Sequence, residues 1–172
     1  MITLKILIIT VLFLICYQDI RFQAVSWIFF LIGFIIAFII SLKSITRYDL
    51  IINSVMIMLF IIFQLAVIYF FSWMKYKKRS NIFNTIFGLG DLLFLIMIVP
   101  LFSPLNYLLF FIISMALTLI MFALLKKFNL LKGPTIPLAG LQSLVLILVI
   151  ISQFFIKFSL YNDYFILQHF IM

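Results

Sequence analysis

The sequence predicts an all-α membrane protein, with six transmembrane helices in a single embedded domain over residues 1–172. Three observations predict this class. Of the 172 residues, 68% are hydrophobic and only 9% are charged, and a soluble chain of this length could not bury so much apolar surface. The apolar residues form runs of about 18 or more, the length that a helix needs to cross a bilayer. The polar segments between these runs are too short to form a separate soluble domain.

Each predicted span follows from one apolar run. The first is short for a bilayer, which tilt and local thinning accommodate, and no small-residue cleavage site follows it, so it is not interpreted as a secretory signal. The fourth begins after Gly88 and Gly90, which predicts irregular backbone at membrane depth, tolerated only where it is buried or lines a wet cavity. The six spans are 2–17, 24–42, 50–72, 88–102, 105–125 and 136–156.

Basic residues in the connecting segments predict the orientation. By the positive-inside rule, the side that carries most of them faces the cytoplasm, so both termini lie outside. Asp19 and Asp91 then fall at the cytoplasmic boundary, whereas Asp49 and Asp163 fall outside. Asp49 is interpreted as forming an ion pair with Arg47 in a loop. The basic residues of the cytoplasmic side are Arg21, Lys75, Lys77, Lys78, Arg79, Lys126, Lys127 and Lys132.

The net charge of +8 is explained by these topology-setting loops and their contact with anionic lipid headgroups. No nucleic-acid-reading element accompanies it, so the lipid bilayer is the predicted partner and nucleic acid is not. No cofactor or metal is predicted either. Cys16 is the single cysteine and His169 the single histidine, which is too few for a zinc site of several such ligands.

Two carboxylates are the candidate catalytic residues. The chain has no Glu and only four Asp, and an ionisable group at membrane depth is a functional hypothesis by default. If packing brings Asp19 and Asp91 within a few ångströms, the pair should share one proton. The ionised member would take a proton from water while the protonated member polarises a carbonyl. The alternative is that Asp91 is a helix N-cap and Asp19 an interfacial partner of Arg21.

Three other residues are assigned to the surroundings of the pair. Gly88 and Gly90 permit backbone conformations and close approaches that other residues do not, so they are predicted to shape the site around Asp91. Arg21 is predicted either to orient the carboxylate of Asp19 or to contact substrate. A topology-setting cation at the membrane interface is the alternative for Arg21.

Three segments together resemble the type IV prepilin peptidase family. Tyr17-Gln18-Asp19-Ile20-Arg21, followed by Ala24-Val25-Ser26-Trp27, resembles its first catalytic segment. Gly88-Leu89-Gly90-Asp91 resembles its GxGD motif, and Thr135-Ile136-Pro137-Leu138-Ala139-Gly140 resembles its Ile-Pro segment after a cytoplasmic loop. The resemblance extends over nearly the whole chain in the number, order and sidedness of the spans.

This resemblance implies an aspartic endopeptidase of the GxGD fold in the bacterial inner membrane. Its substrate would be a prepilin-like membrane protein, from which it removes a short basic leader at the cytoplasmic face. Asp19 and Asp91 carry over as the catalytic pair, and Gly88 and Gly90 as the backbone elements that shape the site. No cofactor is implied.

The chain departs from the family pattern in three ways. Leu93 stands where many members have Lys, and Val25-Ser26-Trp27 stands where many have Ile-Pro-Asn; both differences bear on substrate detail. Bifunctional members also carry a cysteine-paired cytoplasmic domain that methylates the new N-terminus. This chain has no such insert, so no methyltransferase activity is expected.

Two other functions are compatible with the same residues. Intramembrane proteases of the presenilin and signal peptide peptidase type also use GxGD, but they are larger and their first Asp follows Tyr directly, whereas Gln18 intervenes here. A non-catalytic scaffold or a proton-coupled transporter would also use paired intramembrane carboxylates, although transporters usually show repeated halves. The sequence indicates no particular oligomeric state.

Overall fold

The chain folds into a bundle of α-helices in a computed structural model. The structure describes residues 1–76, 88–128, 136–155, 158–161 and 163, with the backbone alone at 72, 73, 75 and 76. No strand occurs within these ranges, and the predicted all-α class is confirmed. The helices are α1 (Ile2–Phe22), α2 (Trp27–Leu42), α3 (Arg47–Tyr76), α4 (Leu89–Ile98), α5 (Pro104–Lys127) and α6 (Leu138–Phe155), and the 3-10 turn Val99–Leu101 directly follows α4.

Helix length and composition identify a membrane-embedded protein. Four of the described helices, α1, α3, α5 and α6, are long and apolar enough to cross a membrane. The other two, α2 and α4 with its 3-10 turn, are apolar but shorter. Because a shorter helix needs local thinning or irregular flanking backbone to span a bilayer, six complete crossings stay a prediction.

Helix α6 lies at the centre of the bundle. Half of the residues in its membrane-spanning part are buried inside the protein, compared with 11% of those in the corresponding part of α3. It packs mainly against α1, and also against α5 and α4, while α2 packs against α1 and α4. The exposed large apolar side chains of α3 and α5 are suited to contact with lipid. This arrangement places the start of α6 beside the end of α1 and the start of α4.

A reciprocal cap begins α3. The hydroxyl of Thr46 donates to Asp49 Oδ2 at 2.6 Å, and the backbone N–H of Asp49 donates to Thr46 Oγ1 at 3.2 Å. These bonds satisfy a donor at the helix N-terminus that has no partner within the helix. Thr46 therefore caps α3, and Asp49 lies in the first turn of the helix with its carboxylate bonded to Thr46, where the sequence had suggested a loop ion pair with Arg47.

The segment after α6 closes the bundle at the start of α5. Ser103 N–H donates to Leu160 O at 2.9 Å, and Asn106 Nδ2 donates to the same carbonyl at 3.1 Å. The Ser103 hydroxyl donates to the Asp163 carboxylate. These bonds hold residues 158–161 and 163 against the end of the bundle that lies away from Asp19.

Candidate active site

Asp19 lies in the last full turn of α1, with its side chain buried at 8% exposure. Its backbone carbonyl accepts the N–H of Gln23 at 2.9 Å, and Gln23 has the left-handed φ of 51° that commonly ends a helix. Gln18 Oε1 accepts the N–H of Ser26 at 3.1 Å, which ties the next connection to α1. The predicted first span ended at residue 17, but the helix continues to Phe22, so Asp19 is held by helical backbone on both sides.

Asp91 is the third residue of α4 and is partly buried. Gly88 is the N-cap, in an extended conformation, and its carbonyl accepts the N–H of Asp91 at 3.1 Å. Asp91 therefore lies in the first turn and is not itself the N-cap that the alternative interpretation proposed. A carboxylate in this turn is favoured by the positive end of the helix dipole.

The two carboxylates meet at the N-terminus of α6. Ala139 N–H donates to Asp91 Oδ1 at 2.9 Å, and Gly140 N–H donates to Asp19 Oδ2 at 2.6 Å. The donors belong to consecutive residues in the first turn of α6, where backbone N–H groups have no partner within the helix. Three helices distant in sequence thus assemble one pair of acids.

Gly140 permits the close approach of α1 and α6 at this point. A Cβ atom on Gly140 would lie 2.8 Å from Asp19 Cβ, 3.0 Å from Asp19 Oδ2 and 3.3 Å from Cys16 O. The first of these distances is shorter than real carbon–carbon contacts allow, so any side chain here would displace α1. Only glycine therefore lets the Gly140 N–H reach Asp19 at the observed distance.

Of the two glycines in the predicted motif, Gly88 has the closer contact with Asp91. A Cβ on Gly88 would lie 2.9 Å from Asp91 Oδ2, whereas a Cβ on Gly90 would have Phe30 Cζ as a neighbour at 4.0 Å, an ordinary van der Waals distance. Gly88 thus leaves space for the carboxylate. The space around Gly90 imposes no comparable steric requirement.

Arg21 is directed away from the carboxylate pair. Its guanidinium donates to the Tyr17 hydroxyl and lies 5.6 Å from the Tyr17 ring centroid and 5.3 Å from that of Phe22. All three residues are exposed, while Asp19 on the same helix is buried. These contacts fit an interfacial cation better than a group that orients Asp19.

Small buried side chains lie beneath the pair. The Ser143 hydroxyl donates to Gly140 O at 2.6 Å and is fully buried, and Cys16, one turn before Asp19, is buried and close to both Ser143 and Asp19. Among the residues that the structure describes, no group of three or more His, Cys, Asp or Glu side chains is placed to hold a metal ion. The chemistry available here is that of two neighbouring carboxyl groups bound to backbone N–H donors.

The sequence interpretation did not identify the role of α6. It noted Ala139 and Gly140 only as the end of the Ile-Pro segment, and it did not single out Ser143. Pro137 followed by Gly140 at the start of an apolar run indicates that a helix begins there and that another helix can approach it closely. The backbone N–H groups that bind the carboxylates, however, leave no pattern in the side chains of the sequence. The predicted cytoplasmic loops were 73–84 and 126–134; their residues 77–84 and 129–134, and His169, lie outside the described residues.

Comparison with known proteins identifies no relative. No protein-family model matches this sequence, and no curated protein or solved structure matches it at a significant level. The resemblance to the prepilin peptidases therefore rests on the three sequence segments alone.

Proposed function

We propose that this protein is a membrane aspartic endopeptidase in which Asp19 and Asp91 activate one water molecule. The observation that supports the proposal is the pair of bonds from Ala139 and Gly140 to the two carboxylates, at 2.9 and 2.6 Å. Neighbouring acids that can share a proton supply a general base and a general acid at once, as aspartic proteases require.

During the reaction, each carboxyl group of the pair accepts a proton once and donates a proton once. The ionised carboxylate takes a proton from water as the water oxygen attacks the scissile carbonyl carbon, and the protonated carboxyl donates its proton to the carbonyl oxygen. The tetrahedral intermediate then collapses: one of its hydroxyl groups returns a proton to the carboxylate that had donated one, the C–N bond breaks, and the amine nitrogen leaves with the proton of the other carboxyl group. The N–H groups of Ala139 and Gly140 hold the carboxylates in position, and the N-terminus of α6 stabilises negative charge on them.

The proposed substrate is a prepilin-like membrane protein with a short basic leader, cleaved at the cytoplasmic face of the inner membrane. This part of the proposal rests on the resemblance of the three segments and on the positive-inside orientation, in which both termini are outside. The described residues near the pair offer no acidic group beyond Asp19 and Asp91 to receive a basic leader. Substrate binding is therefore proposed to depend mainly on the apolar helix that follows the leader.

A co-expression cleavage assay tests the proposal. The protein is produced with candidate substrates that carry prepilin-type leaders, and loss of the leader is followed by gel shift and mass spectrometry. Asp19→Asn and Asp91→Asn are the decisive variants, because the Asn side-chain oxygen can still accept the N–H bonds from α6 while the acid–base function is removed. Each is expected to abolish cleavage with normal abundance in the membrane.

Asp49→Asn and Asp163→Asn are the matched controls, since these carboxylates bond to Thr46 and Ser103 at other helix ends. They are expected to cleave as the wild type does. Equal cleavage by all four variants would refute the aspartic mechanism, and a substrate cleaved by none of the proteins would be rejected as a substrate. The same mass spectra report methylation of the new N-terminus, which is expected to be absent.

A further inference from the structure

A second site lies at the opposite end of the bundle from the carboxylate pair. There α1 begins and α2 and α6 end, and the space between them forms a cavity of about 360 Å³. Its inner wall is apolar and includes the buried side chains of Ile8, Ile40 and Ile150. Cavities that bind small molecules begin at about 300 Å³, so the space is large enough for a lipid headgroup and the first part of its chains.

The mouth of this cavity is cationic. Lys5 and Lys43 both line it, and none of the described residues that line it is a carboxylate. Lys5 Nζ donates to Gln153 Oε1 at 3.0 Å, and since an ammonium group has three donors, two N–H bonds of Lys5 are not used by this contact. Lys43 follows the end of α2, and its side chain is exposed. The two cations thus face a common opening.

Neutral hydroxyl donors complete the lining. Tyr161 and Ser44 border the cavity, and the hydroxyls of Tyr161 and Ser41 lie 3.5 Å apart. Burial raises the pKa of the Tyr161 phenol, so the hydroxyl keeps its proton at neutral pH. Neither Asp49, which is bonded to Thr46, nor Asp163, which is bonded to Ser103, lines the cavity. A negatively charged guest would therefore meet two cations and no carboxylate among the described lining residues.

We propose that this cavity binds the phosphate group of an anionic phospholipid, with Lys5 and Lys43 as the charged ligands and the apolar wall in contact with the upper acyl chains. Phosphate as such could come from a lipid or from solution. The lipid is favoured because the cationic mouth lies at the ends of membrane helices, where headgroups are found, and the apolar wall continues inward from it. Basic pockets between membrane helices bind headgroups on the cytoplasmic side of membranes, and the same chemistry is proposed here for the end of the bundle that the predicted orientation places outside.

The test measures the thermal midpoint (Tm) of the full chain in an uncharged detergent, as dihexanoyl phosphatidylglycerol is added. Dihexanoyl phosphatidylcholine and inorganic phosphate are titrated in parallel. For the wild type, phosphatidylglycerol is expected to raise Tm saturably, at concentrations where the other two compounds have no effect. A rise with inorganic phosphate at equal concentration would assign the site to the free ion and overturn the lipid proposal.

The decisive variant carries Lys5→Gln and Lys43→Gln together. Its half-saturating phosphatidylglycerol concentration is expected to rise roughly 30-fold, the factor that corresponds to ~1 kcal/mol for each of two basic residues near an anionic headgroup. The matched control carries Lys126→Gln and Lys127→Gln at the end of α5, and should respond as the wild type does. The same response in all three proteins would overturn the proposal.

A single variant keeps the test decisive if the double variant does not fold. Lys43→Gln alters only an exposed side chain beyond the end of α2, so it should leave the fold intact. Its half-saturating concentration is expected to rise about fivefold, and an unchanged value would count against the site. None of these measurements depends on proteolytic activity.

Discussion

Substitution of Gly140 by alanine tests whether the approach of α1 to α6 sets the geometry of the carboxylate pair. The new Cβ would lie 2.8 Å from Asp19 Cβ and 3.3 Å from Cys16 O. Neither neighbour is the end of a flexible side chain. The strain can therefore be relieved only by moving α1 and α6 apart at this point.

The size of the displacement follows from the contact distance. Carbon atoms pack at about 3.5–4.0 Å, so α1 must move away by about 0.7 Å to reach the lower end of this range. The same movement would lengthen the bond from Gly140 N to Asp19 Oδ2, which is 2.6 Å now, to roughly 3.3 Å, beyond the normal N–H···O range. A misplacement of about 1 Å can lower a catalytic rate by 10²-fold, and forced overpacking costs about 1–3 kcal/mol of stability.

The assay compares Gly140→Ala with Gly90→Ala for leader cleavage and for Tm. Gly90→Ala is the matched control, because its Cβ would lie 4.0 Å from Phe30 Cζ and alanine is favoured over glycine within a helix. We expect Gly140→Ala to lose about 100-fold in cleavage rate and to have a lower Tm, and Gly90→Ala to match the wild type. Wild-type cleavage and Tm in Gly140→Ala would refute the reasoning, as would an equal loss in both variants.

Three further substitutions have expected outcomes in the same two assays. Gly88→Ala places a Cβ 2.9 Å from Asp91 Oδ2. Because the carboxylate can rotate away, we expect only about a tenfold loss of cleavage rate, equivalent to ~1.4 kcal/mol. A loss as large as that of the Asp91→Asn variant would contradict this. Tyr107→Phe should raise Tm, because the Tyr107 hydroxyl is buried with no partner among the described residues. Such an unpaired hydroxyl costs about 1–3 kcal/mol of stability. A lower Tm in this variant would reveal a hydrogen-bond partner. Thr46→Ala removes the side-chain oxygen that accepts the Asp49 N–H at the start of α3 and should cost about 1 kcal/mol of stability with no change in cleavage, whereas lost cleavage would link this cap to the site.

The sequence predicted the helical membrane class and the positions of the helices because these depend on local properties. An apolar run has the same length whatever packs against it, and a carboxylate in such a run is conspicuous wherever it lies in the bundle. Helix ends were less well predicted. The cap formed by Thr46 and Asp49 extends α3 before the predicted residue 50, and the left-handed Gln23 ends α1 at Phe22, beyond the predicted residue 17.

Tertiary structure alone decided how the two carboxylates are held. The sequence singled out Asp19 and Asp91, but their common partner is a pair of backbone N–H groups at the start of α6, which no side-chain pattern reveals. The same limit applies to Gly140, whose small size matters only because α1 crosses α6 at that residue. Spacing along the chain did not show that Arg21 turns outward to Tyr17 while Asp19 turns inward. Apolar runs specify which segments enter the membrane, whereas the packing of one helix against another decides which of their atoms meet.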